Sequence, residues 1–232
     1  VAITQIGTTT TDFDAGAPTS LTKSYTQVTG TNTIIVVFVG GNGSTHDTVT
    51  FDGDSLGKLI ERDNSGEKIS LWYRVAPTVT TANVIASFGG ATDCSMIITS
   101  WDNVNQDTPF RDSAGNVGSA NPSVVCNSAA GDLVIDGFCH NTDNSDPAVG
   151  DGQTELADIE VTGDYRSASS SEPGDSPTVT MDWTGFSASI WSAVAGSLQG
   201  ADSGWAGKIN SVTSIEKVNS VASANIFTIN KT

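Results

Sequence analysis

The sequence predicts an all-β protein: a two-sheet antiparallel β-sandwich of jelly-roll type over residues 1–200, followed by an extended repeat tail. Three observations carry this. No stretch of residues 1–200 shows the 3.6-residue apolar period of an amphipathic helix; Thr, Ser, Val and Gly dominate and apolar residues alternate with polar ones. Short clusters of Gly, Asn, Asp, Pro and Ser punctuate the alternating runs. After Leu198 both composition and charge change.

The strands are read in order. Residues 3–8 and 21–28 come first, then "NTIIVVFVG" (32–40), apolar on both faces and so suited to a central strand covered on both sides. "TVTFDGDSLGKLIE" (48–61) reads as strand, Asp-Gly turn, strand, because Asp52-Gly53 is a strong two-residue hairpin signal. "ISLWYRVA" (69–76) places Ile69, Leu71, Tyr73 and Val75 on one face. Residues 82–88, 94–101 and 122–127 follow. "GDLVIDGFC" (131–139) aligns Leu133, Ile135, Gly137 and Cys139, and "PTVTMDW" (177–183) aligns Val179, Met181 and Trp183. Residues 153–160, 164–171 and 189–199 complete the set. The predicted core contains Ile34, Val36, Phe38, Leu71, Tyr73, Val134 or Ile135, Met181 and Trp183. No apolar run approaches the ~18 residues of a membrane-spanning helix, so no membrane insertion is expected.

Residues 199–207, "QGADSGWAG", read as a linker, placing the boundary between body (1–200) and tail (201–232). "KINSVTSIE" (208–216) and "KVNSVASAN" (217–225) are two nine-residue repeats, and "IFTINKT" is a degenerate third. Within them apolar residues recur every third position, a period of neither helix nor strand. A segment this short cannot bury a core alone. Its apolar residues Ile209, Val212, Ile215, Val218, Val221, Phe227 and Ile229, with Trp205 as first anchor, are therefore the expected partner-binding set.

The chain carries 26 acids against 10 bases, a net −16. Lys208, Lys217 and Lys231 against Glu216 give residues 203–232 a net +2, leaving −18 on residues 1–202. Such a field repels phosphate backbones, so nucleic-acid binding by the body is not expected. Cys94, Cys126 and Cys139 are too few and too scattered for a disulfide framework and read as small buried residues; a Cys126–Cys139 bridge stays open. No cofactor is expected. The loops "DNVNQD" (102–107) and "DNSDPAVGD" (143–151) offer oxygen ligands for a structural calcium ion, but neither has an EF-hand spacing.

"GDSL" at 53–56 spells a hydrolase signature. A serine nucleophile needs an oriented base; His46 lies upstream, and nothing resembling a catalytic base follows His140. With no α/β alternation, Ser55 reads as a hairpin residue, no catalytic residue is assigned, and the chain is not expected to be an enzyme. The rival is a carbohydrate-binding module with an exposed aromatic platform, for which Trp72 is a candidate; Trp72 equally suits packing beneath a loop.

"VNQDTPF" (104–110), "AGDLVID" (130–136), "IWSAVAGSL" (190–198) and the hairpin "VTFDGDSLGKL" (49–59) resemble landmarks of a β-sandwich module of bacteriophage virion proteins and some bacterial surface proteins. The tail "KINSVTSIEKVNSV" is similar to the Lys-Ile-Asn-x-Val repeats that end many phage structural proteins, with Ser211 and Ser220 where the family often has Gly. The resemblance implies a non-enzymatic virion component on the particle exterior: capsid decoration, head fibre or tail surface. Other virion subunits or copies of itself would be its partners, with a host-surface glycan as a further one. The alternative is the glycan-binding module, secreted or on a cell surface.

Overall fold

The computed structural model describes residues 1–201 apart from 44, 91–92, 142–145, 162–164 and 187–189. The described residues contain strands and no helix. The predicted linker and tail from 202 onward, with every expected partner-binding residue, lie outside them.

The first half of the body comprises β1 (Thr4–Gln5), β2 (Thr10–Asp14), β3 (Ser20–Thr26), β4 (Ile34–Asn42), β5 (Thr45–Phe51), β6 (Asp54–Ser55), β7 (Gly57–Asn64), β8 (Glu67–Val75), β9 (Thr81–Gly89) and β10 (Asp93–Asp102). The second comprises β11 (Phe110–Gly118), β12 (Ser123–Asn127), β13 (Leu133–Asn141), β14 (Ala148–Val149), β15 (Thr154–Val161), β16 (Tyr165–Pro173), β17 (Thr178–Thr184) and β18 (Trp191–Leu198). Every pairing between these strands is antiparallel.

The all-β sandwich architecture is as expected, but in place of one two-sheet sandwich over residues 1–200 there are two, in succession along the chain. In the first half an inner sheet runs β2-β10-β4-β8-β7, with β1 continuing the β2 edge, and an outer sheet runs β3-β9-β5-β6. In the second half the inner sheet runs β11-β18-β13-β16-β15 and the outer sheet β12-β17-β14. The order corresponds, β2 to β11, β3 to β12, β4 to β13, β5 to β14, β7 to β15, β8 to β16, β9 to β17 and β10 to β18; β6 has no counterpart among the described residues. The registers agree: Asn42 pairs with Glu67, the first residue of β8, as Asn141 pairs with Tyr165, the first residue of β16.

Four sheets make three apolar layers. Leu21, Val49, Phe51, Val84 and Met96 fill the first sandwich, and Val134, Phe138, Val179, Met181 and Trp183 the second. The third layer lies between the two inner sheets and holds Ile34, Val36, Phe38, Leu71, Ile97, Ile135, Val194 and Leu198. The β4 run follows from this position. Ile34, Val36 and Phe38 point at the partner sandwich while Ile35, Val37 and Val39 point at the outer sheet, and all six are buried. Each such burial contributes up to about 1.5–3 kcal/mol. Both residues offered as alternatives on β13 are core: Ile135 faces the partner sandwich and Val134 its own outer sheet. Tyr73 is partly buried, edge-on to Phe110 at 5.0 Å between ring centres.

The two inner sheets meet reciprocally, β7 against β11 and their counterparts β15 against β2. Close approach is bought with glycine: a Cβ on Gly40 would run into the Tyr165 hydroxyl.

Candidate functional surface

Asp52 (φ 53°) and Gly53 (φ 80°) form the two-residue turn between β5 and β6, with Phe51 paired to Asp54 and Thr50 to Ser55. Two consecutive positive φ values mark a type I′ turn, the one whose twist matches a hairpin. Ser55 is exposed. The chain then crosses between sheets: β6 pairs with β5 in the outer sheet and β7 with β8 in the inner one, with Leu56 buried at the crossing.

Neither histidine serves Ser55. His46 Nδ1 and Ser70 Oγ share a hydrogen bond of 2.7 Å, and the ring lies edge-on to Phe88 at 5.7 Å. Burial, then Lys68 and Lys58, lowers its pKa to about 3, so it is neutral. His140 packs in the second sandwich between Phe138 and Phe186, with ring centres 6.0 and 4.8 Å away.

Trp72 faces inward. It is buried in the first sandwich, donates to Ser70 Oγ at 2.8 Å and lies beneath the Lys58 ammonium, 4.8 Å from the ring centre. Trp101, Trp183 and Trp191 are buried too. Among the described residues Phe13, on edge strand β2, is the aromatic that is more than half exposed. The outward faces of the outer sheets are polar: Thr22, Ser24, Thr26, Thr48, Thr81 and Asn83 on one, Asn127, Thr178, Thr180 and Thr184 on the other. Ile85 and Val125 interrupt them as exposed apolar residues.

The three cysteines are free and buried. Burial pushes the Cys94 and Cys126 thiols up to about 12 and Cys139 well above the ordinary range, so they are protonated packing residues. In the 102–107 loop the oxygens are engaged: Asp102 accepts from Thr4 Oγ1 at 2.5 Å, and Asn105 Oδ1 caps the turn by accepting from the backbone N–H groups of Asp107 and Thr108 at 3.0 Å. The 143–151 loop lies partly outside the described residues; within it Asp146 pairs with Arg166 at 2.6 Å. Among the described residues no group of three His, Cys, Asp or Glu side chains is placed to hold a metal ion.

Most of the body's cations are matched locally. Lys58 pairs with Glu61 at 2.7 Å, Arg74 with Asp54 at 2.8 Å, and Arg166 with Asp158 at 2.5 Å. Arg111 donates to Asp132 at 2.5 Å, and Lys23 and Lys68 also have carboxylate partners. The net negative charge is therefore carried by the remaining acids.

One polar group at the interface escaped the sequence reading. Glu67 continues the alternation of Ile69, Leu71 and Tyr73, so the pattern puts its carboxylate on the core face. The structure buries it there at 1% exposure. No family model, curated protein or solved structure matches the chain. No helix among the described residues is long and apolar enough to cross a membrane.

Proposed function

We propose that the protein is a non-enzymatic structural component of a bacteriophage particle exterior, whose C-terminal repeats dock on another subunit. The observation that carries this reading is where the apolar side chains go. The body's four tryptophans and both histidines are packed inside, and its outer faces are hydroxyl-rich and polar. That leaves no aromatic groove among the described residues for a sugar, which favours the structural reading over the glycan-binding one. The tail, outside the described residues, adds a run of apolar residues on a segment too short to bury a core alone: Trp205, Ile209, Val212, Ile215, Val218, Val221, Phe227 and Ile229. A body held at −18, with its cations mostly paired, suits the outside of a shell, away from packaged genome. It also attracts a tail of +2 from another copy.

The test is truncation after Gly200. The shortened protein keeps the β spectrum and melting behaviour of the body, and loses self-assembly or attachment to particles. A truncated protein that still assembles normally overturns the proposal.

A further inference from the structure

Glu67 opens β8 with its side chain toward the second sandwich. The second sandwich grips it at both levels. Ser192 Oγ donates to the Glu67 carbonyl at 2.6 Å, and Cys139 Sγ to the next carbonyl, Lys68, at 3.1 Å. The Asn141 amide on β13 hydrogen-bonds the carboxylate itself. The carboxylate oxygen Oε2 has no hydrogen-bond partner among the described residues, although it is inaccessible to solvent.

Among the described residues, the charged groups acting on it are acids. Asp93 on β10 and Asp63 on β7 add like charge. Tyr165 on β16 and Cys139 on β13 are fully buried, feel the Glu67 charge, and are held neutral by burial. Lys68, the next residue in sequence, alternates to the opposite face, near His46, and is engaged with Asp63 at 3.3 Å and Glu61 at 3.6 Å. An ionised Glu67 is thus a buried anion with one oxygen unsatisfied, the costly state of a carboxylate.

We infer that Glu67 is a proton-operated latch between the two sandwiches. Neutral, it is accommodated against Asn141 and the β8, β13 and β16 ends close on one another. Ionised, it must recruit water, and that end of the interface loosens while the two outer sheets stay packed.

Burial lifts the carboxyl to about 7, against the Asn141 hydrogen bond, with Asp93 and Asp63 adding to the rise. The folded value is raised, so the stabilising state is fully present below the ordinary glutamate range and is lost as pH rises through about 7.

The test is hydrogen–deuterium exchange of the full chain from about pH 5.5 to 8.5, corrected for the intrinsic rate, in the wild type and in Glu67→Gln. Expected in the wild type is a loss of protection of about tenfold or more in β8, β13 and β16 at the upper pH, with β5 and β9 unchanged. Glu67→Gln, which cannot ionise, should show no such loss. The same pH response in both proteins overturns the latch. So does recovery of wild-type protection on adding millimolar Ca²⁺ at high pH, which would make the carboxylate a cation ligand instead. If Glu67→Gln does not fold, the carboxyl carbon resonance of Glu67 in the wild type decides: titration near 7 supports the latch, and titration near 4.5 overturns it.

Discussion

Phe38 and Gly137 hold equivalent places on the central strands of the two sandwiches, and they face each other. A Cβ on Gly137 would stand 2.6 Å from Phe38 Cδ1. Near a local two-fold relation, equivalent residues meet, and two large ones cannot share the space. Here one half supplies the ring and the other supplies the room. The same reciprocity recurs further along. Tyr165 Oη and Ser95 Oγ share a hydrogen bond of 3.2 Å, and their counterparts Glu67 and Ser192 are also joined, Ser192 Oγ donating to the Glu67 carbonyl at 2.6 Å.

Gly137→Ala should therefore overpack the interface and cost about 1–3 kcal/mol. In a Phe38→Leu background the added methyl should cost less, because the ring it strikes is gone. A double-mutant cycle by urea denaturation measures the difference; strict additivity would show that the two residues do not share the site.

Asp136 is another buried carboxyl, standing where β4 has Val37. It accepts from Ser170 Oγ at 2.6 Å, Ser170 N at 3.0 Å and Trp183 Nε1 at 2.8 Å. Burial outweighs these bonds and raises it to about 6. Since the folded value is raised, its contribution is complete below about pH 4 and is lost as pH climbs to 6, up to ~3 kcal/mol in all. Asp136→Asn should remove that slope. It should also cost about 1–3 kcal/mol at low pH, because its amide N–H faces the Trp183 N–H donor. Melting curves from pH 3.5 to 7 separate the two effects; an unchanged slope would show that Asp136 titrates normally.

At the hairpin, Gly53→Ala should cost about 1 kcal/mol through its φ of 80°, whereas Ser55→Ala should stay within ~0.5 kcal/mol. Neither should alter hydrolysis of a chromogenic ester. Ester turnover abolished by Ser55→Ala would return the hydrolase reading to consideration.

The sequence made the strand faces legible because alternation is a local property. Ile34, Val36 and Phe38, the Asp52-Gly53 turn, and Met181 with Trp183 all follow from period two and turn chemistry. The two-sided apolar run of β4 even signalled a strand covered on both faces. The duplication was hidden because equivalent positions differ in kind: Phe38 and Gly137, Val37 and Asp136, Trp72 and Ser170. What repeats is strand order and burial, which letters do not display. The serines of β16 carry no apolar signal, yet Ser167, Ser169, Ser170 and Ser171 are buried, Ser170 satisfying Asp136. Strand β2 escaped notice since "TTDFD" lacks a pattern of its own; it forms because β10 offers it an edge from Cys94 to Ile98. Strand β11 is mostly small and polar between Phe110, which packs against the interface core, and Val117, and a Cβ on its Gly115 would meet the Arg62 stem at 2.6 Å, so close fit as well as burial places it.

The tail supplies the last prediction. In the proposed docking, each of its large apolar residues would contribute about 1.5–3 kcal/mol when buried, and its three lysines would be drawn to an acidic neighbour. The two contributions separate by chemistry. Val212→Asp or Val218→Asp should weaken assembly by about tenfold or more and leave the melting point of the body unchanged. Lys208→Ala and Lys217→Ala should have smaller effects that vanish at about 1 M salt, where the screening length is ~3 Å. Sedimentation of the full chain across concentration reads both. If neither aspartate substitution shifts the assembly equilibrium, the tail does not dock through its apolar residues, and the assembly role proposed for it fails.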